Sequence, residues 1–236
     1  MATILLFVSN SMRGAMDELV PRFERASGHR LEISYDPAKV MMARIRRGES
    51  ADLAMLGGSA IEELVKDGKV TAGSRRVLAS CGVGIAVRAG AHKPDIGSVE
   101  AFRQALLAAG SVAWTQEGAS GMYFSKLIES LGIAAEMQRK AVRQAGGLIG
   151  KLVAEGKAEL AVQQIPELLA VPGIELLGPL PREIQQTTVS SAGIFTGAKE
   201  PKAAGEFLDF LQTPGSAGTL RACGHEPAEV TITGDE

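Results

Sequence analysis

The chain has 236 residues, of which 45% are hydrophobic and 22% charged, with a formal net charge of −2 at pH 7. This composition is that of an ordinary globular protein with room for one large or two small domains, and it excludes a fibrous or disordered chain. Acidic and basic residues are interspersed, and aromatic residues make up only 4%. Nucleic acid is therefore not expected as a partner, because binding it requires clusters of basic and aromatic side chains.

The predicted elements alternate between short β-rich runs and amphipathic segments of helical length. In chain order they are strand 3–9, helix 12–26, strand 30–35, helix 38–47, strand 51–56, helix 59–68, an apolar run at 82–90, helix 98–109, strand 111–115, helix 120–132, helix 148–156, strand 159–164, strand 186–195, and helices 201–211 and 214–224. Strands that alternate with helices of this length form βαβ units around a mostly parallel sheet. The predicted fold class is α/β.

The apolar stretch at residues 2–8 bears on localisation. It is too short to span a bilayer, and it lacks a preceding basic residue and a following cleavage site. We therefore expect no membrane insertion and a cytoplasmic protein, or a periplasmic one whose signal peptide has been removed. Cys81 and Cys223 are expected to be free thiols, since a chain of this length does not need a disulfide.

Small and polar residues gather where the predicted strands are followed by helices. In open α/β sheets, ligands bind at these carboxyl ends of strands. Hydroxyls, amides and free backbone N–H groups suit a bound anion, although each junction taken alone also fits an ordinary helix cap or turn. We expect the first junction both to cap the first helix and to form one wall of the site. The junction residues are Ser9, Asn10, Ser11, Asp36, Pro37, Ala38, Lys39, Gly118, Ala119, Ser120, Gly121, Gly146, Gly147, Gln163 and Gln164.

Metal and nucleotide sites are not predicted. His29, His92 and His225 are scattered, and none has a Cys, Asp or Glu at the spacing of metal ligands. Residues 147–151 lack the pattern of a phosphate-binding loop. No cofactor and no metal are expected.

Several longer stretches resemble the periplasmic molybdate-binding proteins, which are type II solute-binding proteins of ABC transporters. Residues 7–56 contain a strand ending in a serine, then "GAM" in the first helix, and then a glycine followed by "ADL". The resemblance continues through 119–132, 152–164 and 199–227, which covers nearly the whole chain. It implies two α/β lobes joined by two crossing strands, with an anion in the cleft between them. Lobe 1 would comprise 1–80 plus 194–236 and lobe 2 would comprise 81–193, and a transporter permease would be a partner if the protein is exported.

The resemblance also implies which residues hold the ligand, with departures from the family pattern. Ser11 matches the first serine of the family, whereas Ala38, followed by Lys39, stands where the family has a second hydroxyl. Gln164 replaces a tyrosine that covers the oxyanion. Because these changes remove neutral donors and add a cation, a small carboxylic acid is favoured over molybdate. The implied ligand-binding residues are Asn10, Ser11, Ala38, Lys39, Ser120, Gly121, Gly146 and Gln164.

Two functions stay open at this point. The first is binding of a small anion, a di- or tricarboxylate or an oxyanion, without chemistry. The second is isomerisation of an unsaturated tricarboxylate, as in aconitate isomerase, which resembles the same family. Asp36 or Lys39 would then be the base, and Ser11 and Ser120 would be hydrogen-bond donors to the developing negative charge.

Overall fold

The computed structural model describes residues 1–228, and the strands in this range form one mixed sheet. The strands are β1 (Thr3–Ser9), β2 (Arg30–Asp36), β3 (Leu53–Gly57), β4 (Arg76–Arg88), β5 (Val112–Thr115), β6 (Ala141–Gln144), β7 (Leu160–Gln164), β8 (Ile174–Pro179), β9 (Thr187–Ile194) and β10 (Glu226–Pro227). Their order is β2-β1-β3-β9-β4-β7-β5-β6, and β8 and β10 also pair with β4. The predicted α/β class is confirmed.

Helices fill most connections between these strands. They are α1 (Arg13–Ser27), α2 (Ala38–Arg46), α3 (Gly58–Lys66), α4 (Val99–Ala108), α5 (Ala119–Ser130), α6 (Ala134–Arg139), α7 (Gly150–Ala154), α8 (Ile165–Leu169), α9 (Pro201–Leu211) and α10 (Pro214–Ala222). None of these helices combines the length and the apolar character that crossing a bilayer requires.

The first β-α-β unit shows how the sequence produces this architecture. β1 is apolar and largely buried, with neighbours on both sides that run parallel to it. Helix α1 buries Ala15, Met16, Leu19 and Phe23, which recur every three or four residues and so form one apolar face. The helix ends at Gly28, whose φ of 73° is the left-handed conformation that glycine adopts without strain.

Two sets of parallel strands are joined through antiparallel ones. β1 pairs in parallel with β2 and β3, and β5 pairs in parallel with β6 and β7. We call β2, β1, β3 and β9 the first half of the sheet, and β7, β5, β6 and β8 the second half. Strand β4 belongs to both, because it pairs with β9 as far as Gly82 and with β7 from Val83 onward.

Each half of the sheet has its own hydrophobic core. In the first half, α1 and α9 bring Phe23 and Phe207 together with ring centroids 4.9 Å apart. In the second half, Trp114 packs on Phe124 at 5.1 Å. The division into 1–80 plus 194–236 and 81–193 stays a prediction. Because β9 pairs with β3 and the beginning of β4 along its whole length, the pairing favours a boundary before Thr187.

Some elements differ from the sequence-based expectation. Strand β4 begins at Arg76, well before the apolar run at 82–90, because its outer part pairs with β9. The sequence did not predict β6, β8, β10, α6 or α8. These are short elements stabilised by their neighbours in the fold rather than by a long periodic pattern.

Candidate functional site

A cavity of about 500 Å³ opens between the two halves of the sheet. Its size lies within the range of ~300–1,000 Å³ that is usual for small-molecule sites. Residues that end β1, β3, β5 and β7 line it, namely Ser9, Gly57, Thr115 and Gln164. The cavity therefore lies where parallel α/β sheets bind ligands. We call it the cleft.

Ser9, Asn10 and Ser11 form one wall of the cleft at the end of β1. The hydroxyl oxygens of Ser9 and Ser11 lie 3.2 Å apart. Neither hydroxyl bonds to the backbone of α1, which begins at Arg13 after a short 3₁₀ turn. The prediction that this segment caps α1 is therefore wrong, since Met12 precedes the helix, whereas Ser9 and Ser11 do line the cleft.

The helices whose N-termini border the cleft lack side-chain caps. Residues Pro37, Gly57 and Gly118 precede α2, α3 and α5, and none of them bonds to the first turn through its side chain. By contrast, α4 lies away from the cleft and is capped by Ser98, whose hydroxyl accepts a bond from the N–H of Ala101 at 3.1 Å. Free N–H groups at helix N-termini are available to a bound anion.

The two walls meet at one side of the cleft. A Cβ atom added to Gly146, which follows β6, would lie 2.9 Å from Cγ of Pro37, which follows β2. The amide of Gln163 holds this loop, since its Nε2 donates to the carbonyl of Gly147 at 2.8 Å and its Oε1 accepts from the N–H of Ile149 at 2.9 Å. Glycine at position 146 thus permits a close approach that a larger residue would obstruct.

Two buried polar atoms at the cleft have no hydrogen-bond partner within the described part of the chain. The Oγ1 atom of Thr115 is one of them, at the end of β5. The Nε atom of Arg75 is the other, just before β4. Because buried polar groups are normally paired, each of these atoms is a candidate contact for a ligand or a water molecule.

Arg75 is the one cation among the described residues that line the cleft. Its Nη2 atom lies 2.8 Å from Oε1 of Glu62, which holds the side chain at the rim. The rest of the guanidinium is free to form further hydrogen bonds to a planar anion.

Glu167 is the second acidic residue that lines the cleft. It lies in α8, directly after β7, and its side chain is only 9% exposed. Burial raises the pKa of the Glu167 carboxyl to about 8, and hydrogen bonds from the Gln163 side chain and the Gln164 backbone offset only part of this effect. The carboxyl therefore keeps its proton over most of the neutral range.

Most of the predicted ligand-binding residues are brought together by the fold. Asn10, Ser11, Ala38, Gly146 and Gln164 all line the cleft. They follow the ends of four different strands, β1, β2, β6 and β7, as expected for a ligand site at strand-to-helix junctions.

Four other predicted residues lie elsewhere. Lys39 is exposed and does not line the cleft. The carboxylate of Asp36 is 2.5 Å from Nη1 of Arg44 on α2, and Asp36 does not line the cleft. Ser120 and Gly121 are buried and do not line the cleft, whereas the preceding Gly118 and Ala119 do. Their contribution to a site stays a prediction.

The sequence reasoning missed Arg75 and Glu167. Arg75 lies in the turn before β4, and Glu167 lies in the short helix α8. Neither position has a local sequence signal, because an arginine in a turn and a glutamate in the first turn of a helix are ordinary surface residues.

Comparison with known proteins gives consistent results. The family model described as bacterial extracellular solute-binding protein matches residues 4–226. A protein named aconitate isomerase from Pseudomonas sp is 34% identical over 231 residues, which cover 95% of this chain and 88% of that protein. The molybdate-binding protein ModA of Azotobacter vinelandii is 25% identical over 235 residues, covering 95% and 90%. The solved structure of the Azotobacter vinelandii periplasmic molybdate-binding protein superposes with a TM-score of 0.79 at 18% identity, covering 96% of this chain and all of that one.

Proposed function

The chain belongs to the family of bacterial extracellular solute-binding proteins, and from this premise we propose that its cleft binds a small polycarboxylate anion. The proposal rests mainly on Arg75, which lies at the rim of the cleft and whose guanidinium is only partly paired. The other hydrogen-bond donors that line the cleft are neutral. A guanidinium matches the planar oxygens of a carboxylate, because it donates two parallel hydrogen bonds.

The neutral donors supply the rest of the anion site. Ser9 and Ser11 provide hydroxyls, and the uncapped N-termini of α2, α3 and α5 provide backbone N–H groups. Hydrogen bonds from such groups hold a negative charge without a full countercharge, because the helix dipoles add to them. A ligand with two or three carboxylates would use these donors for one group and Arg75 for another.

Isomerisation of the bound acid is the second candidate function. The relative that is 34% identical over nearly the whole chain is named aconitate isomerase. A reaction is favoured by the presence of Glu167 in the lining of the cleft. Its carboxyl would repel an anionic ligand when ionised, so it would weaken a site that only bound the anion. A site that only captured an anion would gain from a neutral amide at that position.

A panel of ligands tests the binding proposal. Dialysed protein would be melted with molybdate, tungstate, sulfate, citrate, cis-aconitate and trans-aconitate. A ligand at 100 times its Kd adds about 2.7 kcal/mol to the free energy of unfolding, which raises the melting temperature measurably. Stabilisation by a polycarboxylate is expected, and stabilisation by molybdate and tungstate alone would contradict the proposal.

Isomerisation is tested separately on the acids that bind. The purified protein would be incubated with cis-aconitate or trans-aconitate, and proton NMR spectra would follow the vinyl and methylene signals of both isomers. Appearance of the other isomer at a rate proportional to protein concentration would support an enzyme. Tight binding without conversion would leave the protein as a carboxylate-binding protein.

A further inference from the structure

Glu167 has no charged partner among the described residues. Within residues 1–228, no Lys, Arg or His nitrogen lies within ion-pair distance of its carboxylate, whereas Glu62, the other acid of the cleft, is bound to Arg75. The side chain is nine-tenths buried and lines the cavity that a ligand would fill. Burying an ionisable group without a countercharge is costly, so such a group usually has a function.

The groups nearest to Glu167 on β4 and β7 are neutral, as is the histidine in the segment after α10. Strand β4 contributes the thiol of Cys81, whose pKa is raised to about 12 by burial and by the negative charge of Glu167. Strand β7 contributes the amides of Gln163 and Gln164. The segment after α10 contributes His225, whose pKa is lowered by burial, so its ring is neutral at pH 7.

Arg13 and Glu175, on the neighbouring elements α1 and β8, have partners other than Glu167. On α1, the guanidinium of Arg13 stacks 4.0 Å from the ring centroid of Tyr35. On β8, the carboxylate of Glu175 is held by Lys93 and by the N–H of Gly90. The protonation of Glu167 is therefore controlled by its burial and by whatever occupies the cleft.

We propose that Glu167 is the catalytic acid–base residue of a double-bond shift in an unsaturated tricarboxylate bound in the cleft. This inference rests on the isomerisation proposed above. It names the group that carries the proton, a role for which the sequence suggested Asp36 or Lys39. Asp36 is bound by Arg44 and Lys39 is exposed, and neither lines the cleft.

The step balances without an oxidant or a cofactor. The ionised Glu167 takes a proton from the methylene carbon of the acid, and the electron pair of that C–H bond forms a new C=C bond to the central carbon. The π pair of the old double bond then takes the proton back from Glu167 at the other end of the three-carbon unit. The carboxylate is regenerated, and the product is the same acid with its double bond moved, which interconverts cis and trans forms.

The cleft supplies what the intermediate of this shift needs. Removal of the proton places negative charge on the allylic carbons and on the carboxylate oxygens conjugated with them. Arg75 and the uncapped helix N-termini donate hydrogen bonds where this charge develops. Burial raises the pKa of the Glu167 carboxyl to about 8, close to neutral pH. A residue that both takes and returns a proton works best when its pKa lies near the working pH.

The substitution Glu167→Gln tests the assignment, because the amide keeps the shape of the side chain and removes its ability to carry a proton. Glu129→Gln, the same change at an exposed position of α5, is the matched control. Calorimetry would measure the Kd for cis-aconitate and trans-aconitate, and proton NMR would measure their interconversion as a function of pH.

We expect Glu167→Gln to bind both acids with an unchanged or lower Kd and to lose turnover by about 100-fold or more. The wild type and Glu129→Gln should gain activity with rising pH up to about pH 8. The shorter Glu167→Asp should recover part of the activity while keeping the pH dependence, which a merely structural role would not produce.

The possible failures are distinct. A Glu167→Gln protein that isomerises at the rate of the wild type overturns the assignment of Glu167 and leaves the isomerase function intact. A wild type that binds the acids without converting them overturns the isomerase function and the assignment together, while the binding function stands. Absence of binding to any polycarboxylate overturns all three.

Discussion

The Nε2 atom of His225 lies 3.1 Å from the backbone carbonyl oxygen of Ser11 and donates a hydrogen bond to it. A carbonyl oxygen can only accept, so Nε2 carries the proton and Nδ1 of the neutral ring is bare. Nδ1 is buried without a partner in the described part of the chain, and the side chain is 1% exposed. His225 does not itself line the cleft, but its hydrogen bond holds the backbone of Ser11, which does.

Replacing His225 by phenylalanine should weaken both the fold and the site. The ring volume is kept, but the carbonyl of Ser11 loses its buried partner, which lowers the free energy of unfolding by about 1–3 kcal/mol. Urea unfolding would measure the loss, and His92→Phe, at an exposed position, is the control. Ligand affinity should fall with stability, and an affinity equal to that of the wild type would show that Ser11 is not part of the site.

The stability of the protein should depend on pH through Glu167. Its pKa rises from 4.5 in the unfolded chain to about 8 in the fold, so between these values the folded state holds a proton that the unfolded state has lost. The free energy of unfolding then falls as pH rises, by about 1.4 kcal/mol per pH unit.

Between pH 6.5 and 8 the slope comes mainly from Glu167. Below pH 6.5 the neutral His225 acts in the opposite sense, because its lowered pKa makes the fold less stable as pH falls. Urea unfolding at several pH values should show the slope in the wild type and lose it in Glu167→Gln. A slope that persists in the variant would place the titrating group elsewhere.

Removing the charge of Arg75 should weaken binding of a polycarboxylate. In Arg75→Gln the carboxylate loses charge-assisted hydrogen bonds, each worth about 1.5–3 kcal/mol, so the Kd should rise by about tenfold or more. Calorimetry would compare it with Arg25→Gln, which removes the same charge at an exposed position of α1. Equal affinities in the two variants would contradict a role for the guanidinium.

Gly121 should tolerate no side chain, because the backbone of Thr115, a residue that lines the cleft, lies against it. A Cβ atom at this position would overlap the carbonyl oxygen of Thr115. Gly121→Ala should therefore lower the free energy of unfolding by about 3 kcal/mol or more, since backbone cannot move aside as a side chain can. Gly218→Ala in α10 has nothing within 4 Å and should be neutral or raise stability by about 0.5–1 kcal/mol. Thermal melts of both variants would check the difference.

The order of strands and helices could be predicted from the sequence because each long element carries its own pattern. Helix α1 has a continuous apolar face, and β1 is a continuous apolar run. Strand β6 has only four residues, "AVRQ", half of them polar and exposed, and it forms because β5 offers a parallel edge. No local pattern encodes a strand of that kind.

Some residues of the site could also be predicted from the sequence, and others could not. Ser11 and Ala38 follow predicted strands and line the cleft, so the rule that ligands bind at strand ends found them. Glu167 and Arg75 acquire their character from tertiary contacts, since one is buried by elements distant in the chain and the other is oriented by Glu62 on α3. Ser120 shows the limit of the rule, because it lies in the first turn of α5 but is buried and does not line the cleft.

The strand pairing has a consequence for synthesis on the ribosome. Residues 83–180 contain the core of the second half in one continuous stretch, so this part can fold as soon as it has emerged. The core of the first half joins Ile4 and Leu19 to Phe207 and Leu220, and β10 pairs with β4 at Ser80. The earliest residues to leave the ribosome thus meet some of their core partners only after the last helices have emerged. A chaperone that shields β1 and α1 during this interval would raise the yield of native protein without affecting its final stability.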